Sequence, residues 1–188
     1  MRKWPLAACT TIALLAALPA AADPFDGLPA LCKSLQKEGW GRQPGVAKLD
    51  PNSLLEMSIP GVMYMCTLGR ELPASDRGHV PELGALLTTS NEDAGALLTA
   101  QWFCAGDRAP ALAELEKAFA GVAATLDVAL PDGMAAAIRE GRRFETMKDG
   151  IRFASTQIDV DPDACTRVKP GDLGAVMGKI DVSMKSDR

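Results

Sequence analysis

The sequence predicts an α+β domain: an antiparallel sheet with one long and two short helices packed on it, held by two disulfides. Three observations carry this prediction. Apolar residues alternate with period two in several short segments. One later segment repeats them at helical spacing over about four turns. Four cysteines, Cys32, Cys66, Cys104 and Cys165, remain once an N-terminal leader is set aside.

The leader spans residues 1–22 and reads as an export signal. Arg2 and Lys3 give a positive start, an apolar run covers residues 6–18, and Ala20, Ala21 and Ala22 precede Asp23. The run is shorter than the roughly 20 residues that span a bilayer. A lipid-anchored reading at Cys9 is weaker, because most of the apolar run follows that cysteine. Removing 22 residues from 188 leaves 166, enough for one domain (residues 23–188) with a sizeable core. Arg2 and Lys3 leave with the leader, so 18 Lys and Arg face 24 Asp and Glu, a net charge of −6. An acidic chain lacks the electrostatic footprint of a nucleic-acid binder and suits anionic lipid poorly. No later apolar run predicts a membrane span, so the expected location is periplasmic or secreted.

Export also decides the cysteine chemistry. An even set of four in an oxidising compartment predicts two disulfides. Three pairings exist, and Cys32–Cys66 with Cys104–Cys165 is preferred because each closes one half of the chain. Zinc is disfavoured, since no Cys-x-x-Cys spacing occurs and His79 is the sole histidine.

The first element is a helix over residues 28–38. Leu28, Leu31, Cys32 and Leu35 share one face, Asp26 is the predicted cap and Gly39 the stop. A loop over 39–51 carries Trp40. Residues 61–72 read as a strand with Val62, Tyr64, Cys66 and Leu68 on one face and Met63, Met65 and Thr67 on the other. Both faces look apolar, which predicts a central strand. Residues 85–88 and 96–99 are near-identical and predict an antiparallel pair, the second strand running on to about Cys104. A helix over 91–105 is the alternative, because Ser90 and Asp93 have capping-box spacing.

The long helix follows, with Pro110 expected in its first turn. Leu112, Leu115, Phe119, Val122 and Leu126 form its apolar stripe, away from Glu114, Glu116 and Lys117. A short helix over 132–140 ends at Gly141. Segments 142–148 and 151–160 flank Asp149-Gly150, the strongest hairpin turn signal in the chain. Residues 179–185 alternate Ile180, Val182 and Met184 as a last strand.

Chemical motifs are sparse. No Gly-x-Ser-x-Gly elbow and no phosphate-binding Gly-rich loop occurs. His79, in a polar connection, reads as an exposed loop residue. Asp159, Asp161 and Asp163 resemble the start of a calcium loop, but Ala164 replaces its glycine and Pro170 its closing glutamate. A solvated connection accounts for them better. Met57, Met63 and Met65 suit core packing as well as soft-metal binding. Arg139, Arg142 and Arg143 suit a helix C-terminus. Trp102 reads as core, and Trp40 as a loop aromatic folded back on the sheet rather than an exposed contact. Carboxylates abound, yet nothing pairs two of them for glycoside hydrolysis.

These observations predict an exported, non-catalytic protein without a cofactor. It acts by binding another envelope protein, as an inhibitor, an immunity-type factor or an assembly factor. A small-ligand or metal-binding periplasmic protein is one alternative, and a carboxylate-dependent hydrolase is another. No catalytic, metal or binding residue is singled out.

Overall fold

The computed structural model describes residues 23–41, 62–73, 81–90, 93–102, 105–158 and 178–187. A 3-10 turn, Pro24–Gly27, leads into helix α1, Leu28–Lys37. Strands β1 (Val62–Glu71), β2 (Glu82–Ser90) and β3 (Asp93–Trp102) follow. Helices α2 (Ala105–Thr125) and α3 (Met134–Glu140) come next, then β4 (Phe144–Lys148), β5 (Ile151–Ile158) and β6 (Gly178–Asp187). The predicted α+β class, with one long and two short helices, is therefore present.

All strand pairs are antiparallel, in the order β1-β2-β3-β6-β5-β4. Pairing of β2 with β3 sets Leu86 opposite Leu97 and Leu87 opposite Ala96. The helical alternative for residues 91–105 is thus overturned, although β3 stops at Trp102. Alternation prevails because Ala94, Ala96, Leu98, Ala100 and Trp102 all turn to one buried face. Asp149 and Gly150 both adopt positive φ, 52° and 78°, as the tight turn between β4 and β5 requires.

The strand over 61–72 is not central. Among the described residues β1 pairs with β2 alone and lies at the sheet edge, where Gly69 exchanges bonds of 2.8 and 2.9 Å with Gly41. Its register slips between Val62 and Tyr64, and beyond the slip its faces differ: Cys66 and Leu68 are buried while Met65 is half-buried and Thr67 exposed. The central place next to β3 belongs instead to β6, whose Ile180, Val182 and Met184 are fully buried.

One face of the sheet carries the core. Leu83, Leu87, Leu98, Phe153 and Val182 meet Leu112, Leu115 and Phe119 of α2. The small residues Ala94, Ala96 and Ala100 beneath α2 let the helix lie close to β3. α2 begins a turn earlier than predicted, so Pro110 lies inside it. Asp26 does not cap α1. Asp23 instead accepts from the Phe25 N–H at 2.8 Å and caps the preceding turn.

One disulfide, Cys32–Cys66, joins α1 to β1 as the sequence predicts. Cys104 and Cys165, and with them the second predicted disulfide, lie outside the described residues. So do the leader, Met57, His79 and the Asp159, Asp161 and Asp163 group. Among the described residues no helix is long and apolar enough to cross a membrane.

Candidate functional site

The end of α1 begins the site. Gly39, at φ 89°, turns the chain, and the Trp40 N–H bonds back to the Leu35 carbonyl at 3.0 Å while the Gly39 N–H reaches Gln36 at 3.3 Å. This helix stop sets the indole of Trp40 beside Leu35, the hydrophobic contact that usually accompanies such a motif. The disulfide fastens the same helix to β1.

Across from α1 runs the C-terminal half of α2. Between them lies a cleft of about 300 Å³. Leu31, Leu35, Trp40, Ala118 and Val122 give it apolar walls, and Glu38, Arg70, Lys117, Gly121 and Thr125 complete the lining. Trp40 is 3 % exposed, so it is folded into the wall of the cleft rather than projecting from a loop.

Arg70 is the best-held polar group. It lies on the same face of β1 as Cys66 and Leu68, and so points toward the helices. Its Nη2 meets Glu114 Oε2 of α2 at 2.6 Å, and its guanidinium lies 5.4 Å from the Trp40 ring centroid. A carboxylate and an aromatic face thus compensate this cation as it leaves the solvent. Lys117, one turn further along α2, is exposed and has no ion-pair partner among the described residues. On the facing helix Glu38 accepts a 3.3 Å bond from Ser34 Oγ and, among the described residues, no other side-chain bond.

Gly121 makes room in the cleft. A Cβ placed there meets no atom within 4 Å, so internal packing does not require glycine. Glycine inside a helix costs about 1 kcal/mol relative to alanine. The absent side chain widens the cleft between Ala118 and Thr125. Thr125 Oγ1 donates to the Gly121 carbonyl at 2.9 Å, which occupies the one hydroxyl in the lining.

These groups can bury an apolar moiety and pair with charge at the rim. Enclosing one Leu-sized side chain contributes about 1.5–3 kcal/mol. Among the described residues no group of three or more His, Cys, Asp or Glu side chains is placed to hold a metal ion.

The predicted residues fare unevenly. Cys32 and Cys66 are brought together as a buried staple beside the cleft. Trp102 is core, 4 % exposed. The arginine cluster is drawn onto carboxylates: Arg139 bonds Glu116 at 2.6 Å and Arg142 bonds Glu140 at 2.7 Å, while Arg143 is exposed. Arg108, not singled out from the sequence, donates to the Glu140 carbonyl at 2.8 Å near the end of α3. Met65 is half-buried on the face of β1 turned away from the helices.

Sequence reasoning missed Arg70, Lys117 and Gly121. Two signals for them were present. Arg70 interrupts an otherwise apolar strand face, and Gly121 stands alone inside a strong helical repeat. Comparison with known proteins adds no relative: no family model, curated protein or solved structure matches the chain.

Proposed function

We propose that this chain is an exported, non-catalytic binding protein that engages another protein of the cell envelope. Its contact surface is the cleft between α1 and α2. The observation that carries this reading is the combination of apolar walls with a rim on which Lys117 has no ion-pair partner among the described residues. Such a site fits an apolar anchor side chain ringed by polar contacts, the usual anatomy of a protein-binding hot spot. The buried Cys32–Cys66 disulfide supports an oxidising compartment, and so the export reading of residues 1–22. On the same grounds Cys104 and Cys165 form the second disulfide. A thiol assay on the unfolded, unreduced protein then finds no free thiol once the leader and Cys9 are gone.

The test is capture from an envelope extract by the wild-type protein and by Gly121→Leu. The leucine fills the cleft without touching another atom near its Cβ. A specific partner retained by the wild type and lost by Gly121→Leu is the expected result. A partner retained equally by both, or none at all, overturns the reading.

A further inference from the structure

We infer that the cleft recognises the C-terminus of its partner polypeptide. An apolar last side chain enters between α1 and α2, the terminal carboxylate meets Lys117, and a backbone N–H meets Glu38. This inference rests on the cleft being the binding surface and adds the chemistry of what binds there.

The charge inventory of the rim supplies the argument. Arg70 is engaged by Glu114 at 2.6 Å and by the face of Trp40. Its charge is therefore met within the protein. Lys117 has no such partner among the described residues, yet it lines the α2 lip. Glu38 lines the α1 lip and holds one long bond to Ser34 on its own helix. The two do not form an ion pair with each other. The rim thus offers an unanswered cation on one side and an acceptor with spare lone pairs on the other.

A polypeptide terminus carries a group for each of them. Its carboxylate complements Lys117, and its amide N–H complements Glu38. Its side chain fills the apolar space that Gly121 leaves open. A fatty acid supplies the anion and the apolar body but has no donor for Glu38. Capture of a chain end by its carboxylate is an established mode of peptide recognition.

The probes are N-acetyl-alanyl-leucine as the free acid, its C-terminal amide, and octanoate. Each is titrated into the protein purified as the cell exports it, and backbone amide resonances are followed. The acid is expected to shift the amides of Ala118, Gly121 and Val122 and to bind at least about fivefold more tightly than the amide. Lys117→Gln, an exposed change on a helix, is expected to remove that preference while leaving the melting curve in place. Equal binding of acid and amide, or a preference that survives Lys117→Gln, overturns the inference. So does tighter binding of octanoate than of the peptide acid, which would make the occupant an acyl chain. Binding of none of the probes also overturns it. In that case loss of the envelope partner on Gly121→Leu still upholds the cleft as the contact surface, and retention removes both readings together.

Discussion

The two faces of the sheet are built from the same six strands and differ in almost every physical respect. The face under the helices is dry: Leu87, Leu98, Phe153, Val182 and Met184 are fully buried. The opposite face is half-covered and polar at its centre, where Thr99 donates to Asp181 at 2.6 Å and Lys179 pairs with Asp181 at 2.9 Å. Asp93 and Lys185 pair there as well. Two large apolar side chains, Met147 and Ile158, stand out on this face at 55 % and 60 % exposure. Stability is concentrated on one side of the sheet, and mostly replaceable polar contacts occupy the other. The cleft stands at the margin of the dry side, where the buried core residues Leu35 and Val122 line it beside charged neighbours.

Adjacent residues of β5 give the sharpest test of this contrast. Phe153 is fully buried and Arg152 exposed. Phe153→Ala is expected to cost about 3–5 kcal/mol in urea unfolding. Arg152→Ala, one residue away on the other face, should stay within about 0.5 kcal/mol. Comparable losses would mean that the outer face is covered and carries stability of its own.

The disulfide comes next in size. Cys32 and Cys66 are 34 residues apart, and closing that loop is worth about 3–4 kcal/mol through the entropy of the unfolded chain. The paired change Cys32→Ala with Cys66→Ala should lower stability by that amount. It should also speed hydrogen exchange in α1 before the strands, because α1 is the element the bridge fastens. Exchange that rises equally in β4 and β5 would show that the staple supports the whole fold rather than the cleft wall.

The smallest effects belong to the charges of the outer face, and they carry opposite signs. The hydrogen bond from Lys185, with help from Ser90, holds the Asp93 carboxyl below the usual carboxylate range. A depressed folded-state pKa adds stability that is present above the unfolded value, about 3.9, and is lost as pH falls through the folded one. Asp93→Asn should therefore cost less than about 1 kcal/mol at pH 7, and the difference should vanish in strong acid. Burial, and then the Glu71 carboxylate opposite it, push the Glu82 pKa up. Its ionised form opposes folding at neutral pH, so Glu82→Gln should stabilise the protein there and lose that advantage as pH falls below about 4. Chemical denaturation of both variants across pH 3–8 reads the two signs directly.

Much of the fold was legible in the sequence because its signals are local. The stripe from Leu112 to Leu126 specified the buried face of α2, and each of its five residues is buried. Asp149-Gly150 specified its turn, and alternation specified β3 and β6. Errors appeared where a residue's surroundings come from afar. β1 looked central because Met63 and Met65 are apolar, but a period-two pattern says which face a side chain takes and nothing about which strands flank it. Pro110 looked like a helix start, yet the helix extends back to Ala105 over the core.

The cleft shows the same division. Cys32, Cys66 and Trp40 could be singled out by residue type. Their meeting with Arg70, Glu114 and Gly121 could not, since Arg70 and Glu114 are 44 residues apart and touch only because α2 folds back over the sheet. By itself the sequence determined most of the secondary structure and the inward faces, which follow from spacing and side-chain chemistry, and left Cys32–Cys66 as the preferred one of three pairings. Tertiary structure alone decided that β6 enters the sheet between β3 and β5, that β1 is left at the edge, and that a cleft opens beside it. Long-range pairing is chosen by how all the apolar faces can be buried at once, a condition no single segment contains.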